Sequence, residues 1–591
     1  MSAISEFHER SFAKLIAEVP EFPLELGIRE VAGNRLAMNA FADYSQSGAE
    51  HRMQGMERSL AELRAFPIDE QTPEERLTTR VFEFFLEYAN EGPLLGVRGR
   101  DFAEHDQPAR PAAGIQTQLP VLLANLHSVA DETDAEDYME RLSQLPTVFA
   151  DLVDGLERRE ANRNVLPRAL LTKTLEEISS FLATDARKSL LHMSLAEKLE
   201  AVDDISDGAR RSLLDRSEEE IRNSLYPAYS KLETFLTSQL ERAPETLGVH
   251  RLPDGDAYYD FCLKSATTTN ASAEEIHTLG LHELASIEGR LDTAFRDIGY
   301  GSGSLIARCQ ALDNDPKFRQ PDTPETRTRM LDDLTKIIAT TESQIGTIFD
   351  RLPRSPVVVE PTPAFAENSR HHCYQPPASD GSRPGIFELN LSVALAESML
   401  DTTTVCYHET FPGHHLQLAL AQELEGLPAV RRMVTFDSYI EGWAKYAETI
   451  PWEHGFNSDP LWNVARMRRE LVSTANLVLD TGIHQKGWTR DEGMRFFAEQ
   501  TGSSTEFSEA MVDRIAGNPG QTCSYKIGML KFLGLRDRMR DRLGDEFHIR
   551  QFHTAVLKHG SLPLAILEEV VDKAMTAIAE VDHGQTPRTR D

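Results

Sequence analysis

The residues from 407 to 415, Tyr-His-Glu-Thr-Phe-Pro-Gly-His-His, are of types that bind zinc and activate water. In the usual zinc-hydrolase helix, two histidines four residues apart bind the metal, and the glutamate after the first histidine is the general base. His408 and Glu409 fit the start of that pattern, but a proline stands where the second histidine belongs. The next histidines, His414 and His415, follow six and seven residues after His408.

An unbroken helix would keep these histidines apart. Over six residues of an ideal helix, His408 and His414 differ by about 240° in direction and about 9 Å in height. Pro412 lacks the N–H that a helix interior needs and Gly413 relaxes the backbone, so we expect the helix to bulge or break there. A two-residue bulge would return His414 to the place of the missing ligand.

A third ligand is needed, because catalytic zinc takes three protein ligands. The segment from 438 to 448, Ser-Tyr-Ile-Glu-Gly-Trp-Ala-Lys-Tyr-Ala-Glu, predicts a helix. Glu441 has apolar neighbours there, where an unpaired carboxylate would be costly and a metal ion would neutralise it. The alternative is a chance pattern, since the chain has 19 histidines. The carboxylate at this place favours a metal site.

Together with a later segment, 519–528 (Pro-Gly-Gln-Thr-Cys-Ser-Tyr-Lys-Ile-Gly), these two motifs resemble the DUF885 family. Further matching pieces lie at 480–484, 487–490 and 552–564, so the resemblance covers most of the chain. The family is largely uncharacterised and is grouped with the gluzincin metallopeptidases, whose zinc ligands are two histidines and a glutamate. The motifs are specific for the family and much less specific for an activity.

The resemblance implies that His408, His414 and Glu441 bind one Zn²⁺ per chain and that Glu409 is the general base. His414 is preferred to His415 because a Gly-His pair also ends ordinary gluzincin motifs. From the residues alone either histidine fits, and the other would then contact substrate or support the site nearby. Two histidines and a glutamate also suit other divalent metals.

Amide hydrolysis also needs a hydrogen-bond donor for the oxyanion that forms when water attacks the carbonyl. Tyr525 is the first candidate, because the related helical carboxydipeptidases use a tyrosine and a histidine from their C-terminal part in this way. The alternative is an ordinary core tyrosine. His484 and Lys526 are weaker candidates for substrate contact, since a histidine after Thr-Gly-Ile equally anchors a helix turn.

Several cations could bind the C-terminal carboxylate of a peptide, although exposed helix arginines are the commoner explanation. They are Arg466, Arg468, Arg469, Arg514 and Lys526. The whole chain is acidic, with 62 basic against 94 acidic residues and a net charge of −32. This charge disfavours nucleic acids and anionic membranes as partners and says little about the substrate. The expected substrate, a peptide or small amide, follows from the metal motif and the family resemblance.

Composition predicts a large enzyme of a reducing compartment. The 591 residues can bury a sizeable core, and the five cysteines are scattered and odd in number. The first residues have neither a basic start nor an apolar core, so no signal peptide is predicted, and no run of about 18 apolar residues suggests a membrane span. We therefore expect a cytoplasmic location. The oligomeric state is left open.

The predicted fold is mainly α, with two helical lobes around a deep cleft and a small β-sheet beside the metal helix. Apolar residues recur at helical spacing over 142–156 and 331–352, and Ser272 with Glu275 forms a capping-box pattern before a helix that ends near Gly299. Apolar and polar residues alternate over 386–391, which predicts a short strand. In zinc peptidases an edge strand beside the metal helix commonly holds the substrate in extended form, so we expect this segment to form a wall of the cleft. The predicted lobes are residues 1–310 and 311–591, with one continuous domain as the alternative.

These observations predict a zinc-dependent hydrolase of peptide bonds in short peptides. One alternative is a zinc amidase that acts on a non-peptide metabolite. Another is a degenerate peptidase fold that binds a ligand or partner without catalysis. Glu409 argues against the degenerate fold, because a mere scaffold has no use for a base beside its ligand, whereas the broken helix argues for it.

Overall fold

The computed structural model describes residues 2–25, 27–31, 34–91, 105–318, 320–362, 367, 372–379, 381 and 383–583. The structure is 70% helical, which confirms the mainly α prediction. The helices before residue 320 are α1 (Ala3–Ala17), α2 (Glu21–Glu25), α3 (Gln46–Ala65), α4 (Pro73–Glu91), α5 (Ile115–Leu126), α6 (Glu132–Ala161), α7 (Arg168–Leu182), α8 (Leu190–Glu200), α9 (Asp207–Glu220), α10 (Tyr226–Gln239), α11 (Gly255–Thr267), α12 (Ala273–Asp297) and α13 (Leu305–Asp313).

The second part of the chain contains the other helices and most of the strands. Its helices are α14 (Pro324–Ile345), α15 (Leu391–Ala396), α16 (Met399–Glu409), α17 (His414–Gln422), α18 (Ala429–Met433), α19 (Asp437–Ala447), α20 (Ile450–Glu453), α21 (Pro460–His484), α22 (Arg490–Thr501), α23 (Thr505–Gly517), α24 (Cys523–Leu543), α25 (Ile549–Leu557) and α26 (Leu564–His583). The strands are β1 (Glu30–Val31), β2 (Asn34–Arg35), β3 (Val357–Pro361), β4 (Cys373–Gln375) and β5 (Gly385–Leu389).

The helices predicted from apolar periodicity are present. The 142–156 pattern lies within α6, and most of the 331–352 pattern lies within α14, whose last turn is followed by Gly346. The predicted capping box begins α12: the Glu275 N–H donates to the Ser272 hydroxyl, and the Ser272 N–H donates to the Glu275 carboxylate. The predicted helix over 438–448 is α19.

The predicted strand at 386–391 is present as β5, but its expected role as an edge strand is wrong. In the three-stranded sheet β5 lies in the middle, parallel to β3 on one side and antiparallel to β4 on the other. Its backbone hydrogen bonds are therefore used by the protein, and it has no free edge to hold a substrate. The sheet does lie beside α17, because the Tyr374 hydroxyl of β4 is 2.8 Å from His415 Nδ1.

Two clusters of buried apolar side chains form the core. One contains Phe7 and Trp443, and the other contains Leu142 and Leu479, so each cluster draws on both halves of the chain. The boundary at residue 310 and the arrangement in two lobes stay predictions. Across the described ranges, no helix has both the length and the apolar character needed to cross a bilayer.

Candidate metal centre and active site

The histidine motif lies at a break between two helices. α16 ends at Glu409 and α17 begins at His414, so the predicted bulge is a full interruption. The Gly413 N–H donates to the Tyr407 carbonyl at 3.1 Å, which folds the chain back onto the end of α16. A Cβ at position 413 would lie 1.9 Å from the His408 carbonyl oxygen, so only glycine fits this approach. The break returns the chain to the level of the first histidine.

α19 is held against this break and against α24. The Trp443 Nε1–H donates to the Pro412 carbonyl at 3.0 Å, which ties the break to α19. On its other side α19 meets α24 through glycines: a Cβ on Gly442 would lie 2.4 Å from Gly528 Cα, and a Cβ on Gly528 would lie 2.0 Å from the Ser438 carbonyl oxygen. Side chains next to these glycines are thereby brought close to the histidine motif.

His408, His414 and Glu441 converge at this place. One ligand atom from each residue lies within 4.8 Å of the others, and no other group of three such side chains meets this condition in the described part of the chain. Glu441 Oε2 is 3.4 Å from His408 Nε2 and 3.5 Å from His414 Nε2. The two imidazole rings cross at 83° with centroids 4.6 Å apart. The structure thus brings together the three residues that the sequence singled out.

A buried carboxylate fixes the direction of the first histidine. His408 Nδ1 is 2.9 Å from Glu448 Oε1, and the other Glu448 oxygen accepts from Lys445 Nζ at 2.7 Å. A carboxylate only accepts, so His408 donates from Nδ1, and its Nε2 faces Glu441. Carboxylates of this kind commonly orient metal-binding histidines.

The charges of the cluster suit a divalent cation. Oε2 of Glu441 is buried and has no hydrogen-bond partner among the described residues. Burial alone would raise the pKa of the Glu441 carboxyl, but the facing His408 and His414 hold it well below its usual range. Burial lowers the pKa of His408, and Glu441 and Glu448 outweigh this effect and raise it to about 9. Two ring nitrogens and a carboxylate oxygen match the donor set that zinc takes in hydrolases.

Glu409 lies in the wall of a cavity of ≈ 270 Å³ that His408 and Tyr525 also line. Its side chain is largely buried, and burial raises the pKa of its carboxyl above the ordinary value. A general base must reach the space where the reacting water lies, and Glu409 shares that space with the first histidine.

Tyr525 approaches the metal cluster from α24. Its ring is nearly parallel to the His408 ring, at 19°, with centroids 6.4 Å apart. Its hydroxyl accepts a hydrogen bond from Arg514 at 3.1 Å. Burial and the nearby Glu441 raise the pKa of Tyr525 to about 12, so the phenol keeps its proton at neutral pH. It is therefore available as a donor into the cavity.

His415, the alternative second ligand, points away from the cluster. Its Nδ1 is 2.8 Å from the Tyr374 hydroxyl and its Nε2 is 3.1 Å from the Ser355 carbonyl oxygen. The ring is fully buried, and burial lowers its pKa to about 4. Both nitrogens are used within the protein, so the structure places His415 in a structural position beside the sheet and selects His414 for the cluster.

His484 and Lys526 are also held within the protein, and neither lines the cavity. His484 is fully buried: its Nδ1 accepts from the Val249 N–H at 3.3 Å, and its Nε2 is 3.0 Å from the Ile515 carbonyl oxygen. Lys526 is 1% exposed and donates to Glu470 at 2.8 Å. The structure does not bring these two predicted substrate contacts to the site.

Sequence reasoning missed Glu448 and Lys445 as supports of the first histidine. A signal was present, because Glu448 follows Glu441 by seven residues, which puts both carboxylates on one face of α19. Asn476 was also missed, although it lines the same cavity from α21. No spacing within its own helix relates it to the histidine motif.

The fold and site define a mainly helical protein in which two histidines and a glutamate meet beside a cavity that also contains a buried carboxylate and a tyrosine. The model of the family described as "Bacterial protein of unknown function (DUF885)" matches residues 20–571, and the chain therefore belongs to this family.

Two solved structures share the fold. A protein of Colwellia psychrerythraea described as a "putative lipoprotein" superposes with a TM-score of 0.91 and 26% identity, over 97% of this chain and 99% of that chain. A "putative lipoprotein of unknown function" from Shewanella oneidensis has a TM-score of 0.70 and 15% identity, over 96% and 100% of the two chains. The second likeness concerns the fold alone. None of the curated proteins compared with this chain matches it.

Proposed function

We propose that this protein is a zinc-dependent hydrolase that cuts peptide bonds in short peptides. The observation that carries the proposal is the convergence of His408, His414 and Glu441 next to a cavity whose wall contains Glu409. Three ligand atoms, with no fourth ligand beside them among the described residues, would leave a position for water or substrate, as catalytic zinc sites require. The Lewis acidity of zinc at these ligands would polarise an amide carbonyl and acidify water.

The residues of the chain supply the remaining steps of amide hydrolysis. Glu409 takes the proton of the attacking water and passes it to the leaving amine. The Tyr525 hydroxyl donates a hydrogen bond to the oxyanion, and Arg514 orients that hydroxyl. Glu448 keeps His408 in the tautomer that offers Nε2 to the metal.

Short substrates are proposed because the cavity is small and walled by helices. Its volume of ≈ 270 Å³ lies just below the range of small-molecule sites, which is roughly 300–1,000 Å³. A peptide of a few residues fits these limits better than a folded protein.

The test combines metal content with peptide hydrolysis. We expect about one zinc per chain in the wild type, cleavage of peptides from a mixed short-peptide library, and no cleavage of a folded protein. Glu409→Gln should retain the zinc and lose at least about 10²-fold in rate, because only the proton transfer is removed. The exposed Glu425, with 87% of its side chain accessible, gives the control variant Glu425→Gln, which should keep both zinc and activity.

Two outcomes would contradict the proposal. A chain that holds no divalent metal after zinc is supplied would be better described as a binding protein on a degenerate peptidase fold. A zinc-loaded chain that leaves the peptides intact but hydrolyses small non-peptide amides would be an amidase.

Location and partners need their own measurements. We propose a cytoplasmic enzyme without nucleic-acid or membrane partners, supported by the odd number and scattered positions of the five cysteines and by the net charge of −32. The two similar structures are each described as a "putative lipoprotein", so cell fractionation with an antibody against the full chain is the direct test. Recovery in the membrane fraction would overturn the proposed location.

A further inference from the structure

One face of α21 forms a polar wall of the cavity beside the metal cluster. Arg469, Val472, Ser473 and Asn476 all line this cavity, at the spacing of three and four residues that places side chains on one helix face. Glu409 lines the same cavity. A substrate that reaches Glu409 would therefore lie beside these four side chains of α21.

Arg469 differs from the neighbouring arginines of its helix. Arg466 donates a hydrogen bond to Asn463, and Arg468 forms a bidentate ion pair with Asp313, with hydrogen bonds of 2.7 and 2.8 Å. Among the described residues, Arg469 makes one ion pair, with a Glu397 oxygen at 3.8 Å, which is too long for a hydrogen bond. The Arg469 side chain is 35% exposed, so its guanidinium presents unused donors to the cavity.

The other cations of the cavity are already used. Lys445 donates to Glu448 at 2.7 Å, and Arg514 donates to the Tyr525 hydroxyl at 3.1 Å. Among the lysines and arginines that line the described cavity, Arg469 is the one that makes no hydrogen bond. It therefore keeps hydrogen-bond donors for an anion, which would have to displace or share the long ion pair with Glu397.

Asn476 provides a second, independent sign of a ligand. Its side chain is only 6% exposed, and its Oδ1 is buried with no hydrogen-bond partner among the described residues. Leaving such an acceptor unpaired is costly, and a ligand that donates an N–H would satisfy it. One helical turn later Asp480 accepts from Thr522, which lines the cavity with Tyr525. Asn476 therefore lies on the part of α21 that packs near the tyrosine.

We infer that Arg469 binds the free C-terminal carboxylate of a short peptide and that Asn476 binds the backbone of the same peptide. The inference rests on the proposed function and makes it narrower: the enzyme removes a short fragment from the C-terminal end of its substrate. A planar guanidinium binds a carboxylate with two parallel hydrogen bonds, whereas a C-terminal amide has no negative charge to pair. The fixed place of Arg469 in the cavity wall then sets which peptide bond meets Glu409.

The test measures binding, so that it does not depend on turnover. The zinc-loaded Glu409→Gln chain is dialysed against an N-acetylated tetrapeptide library made in two forms, with free C-terminal carboxylates and with C-terminal amides. Mass spectrometry then gives the retained amount of each form. We expect the acid form to be retained at least about tenfold better than the amide form.

Variants of the same chain assign this preference to one residue. Added to the Glu409→Gln chain, Arg469→Gln should remove the difference between acid and amide, and Arg469→Lys should restore part of it, because lysine keeps the charge but loses the planar fork. Arg495→Gln, at an exposed position of α22, is the control and should keep the full preference. Circular dichroism verifies the fold, and the lysine variant remains informative if the glutamine variant fails to fold.

Equal retention of the two forms, retention of neither, or an acid preference that survives Arg469→Gln would overturn the inference. Its failure differs from failure of the proposed function. If the wild-type protein cleaves the acid and amide peptides equally well, the proposed peptidase activity stands and the carboxylate site is rejected. If the protein binds acid peptides through Arg469 but never cleaves them, the carboxylate site stands and the proposed peptidase activity is rejected.

Discussion

His408 donates a hydrogen bond from Nδ1 to Glu448 Oε1 over 2.9 Å, and this bond leaves Nε2 facing Glu441 at 3.4 Å. Glu448 is 2% exposed, and its second oxygen is held by Lys445. Burial would raise the pKa of Glu448, but Lys445 and His408 lower it to about 2, so the carboxylate stays charged. The bond therefore keeps a proton on Nδ1 and fixes the direction of the first histidine.

Replacing this carboxylate should weaken metal binding without removing a ligand. We expect Glu448→Gln to raise the dissociation constant for zinc by roughly 10–100-fold, the usual effect of losing a partner behind a metal-binding histidine. Competition with a chelating dye measures this change. Glu425→Gln is the surface control. An unchanged dissociation constant would mean that Glu448 does not orient the site.

The two adjacent histidines should behave differently when each is replaced. His414→Ala should lose the zinc, because its ring faces Glu441 at 3.5 Å. His415→Ala should retain about one zinc per chain and lower the melting temperature, since it loses the contacts with Tyr374 and Ser355. Metal analysis of the folded variants distinguishes them. Retention in His414→Ala with loss in His415→Ala would reverse the assignment.

The glycine contact between α19 and α24 should be intolerant of a single methyl group. A Cβ on Gly528 would lie 2.0 Å from the Ser438 carbonyl oxygen, so Gly528→Ala must push α19 away and displace Glu441. Overpacking of this kind costs about 1–3 kcal/mol in the free energy of unfolding. We expect a lower melting temperature and weaker zinc binding.

A matched control exists on the same helix. Gly534 of α24 has no heavy atom within 4 Å of the place where a Cβ would lie. Gly534→Ala should therefore stabilise the helix by roughly 0.5–1 kcal/mol and leave zinc binding unchanged. Equal melting temperatures for the two alanine variants would argue against a tight contact at Gly528.

The hydroxyl of Tyr525 should matter for rate more than for binding. If it donates to the oxyanion, Tyr525→Phe should lower kcat by about 10²–10³-fold while zinc content and KM change little. Tyr439 gives a buried control, because its hydroxyl donates to the Val556 carbonyl at 2.9 Å. Tyr439→Phe should lower stability and keep kcat. A Tyr525→Phe enzyme with the wild-type kcat would assign the tyrosine to packing.

Local sequence signals predicted much of this fold. The capping pattern of Ser272 and Glu275 and the apolar repeat of α6 depend on neighbours along the chain, and both are present. Pro412 indicated a helix break for the same reason, since its missing N–H acts locally. The middle position of β5 was not predictable, because it depends on pairing with the separate segments that form β3 and β4.

The candidate site was predictable in its residue types and less so in its geometry. The choice of His414 over His415 depends on the path of the chain through Gly413, which is set by a close approach to His408. That Arg469 makes no hydrogen bond and only a long ion pair with Glu397 depends on which carboxylates other helices bring near it. Neither fact is encoded in spacing along one helix.

Acid should destabilise the folded chain partly through His484. This imidazole is fully buried, and burial lowers its pKa from 6.5 to about 3. In the unfolded chain it takes up a proton as the pH falls below 6.5, whereas the folded chain resists protonation until about pH 3. The stability that it contributes is therefore present above pH 6.5 and is lost as the pH falls toward 3. Between pH 6.5 and pH 5 the loss is at most about 2 kcal/mol.

The measurement compares melting temperatures at pH 7.5 and pH 5 for the wild type and for His484→Gln. Glutamine can replace both hydrogen bonds of the ring but takes up no proton, so the variant should show a smaller decrease between the two pH values. His282, whose side chain is 79% exposed, gives the control variant His282→Gln, which should follow the wild type. If His484→Gln decreases as steeply as the wild type, the acid sensitivity belongs to other buried histidines, such as His127 and His553, whose pKa burial likewise lowers to about 3.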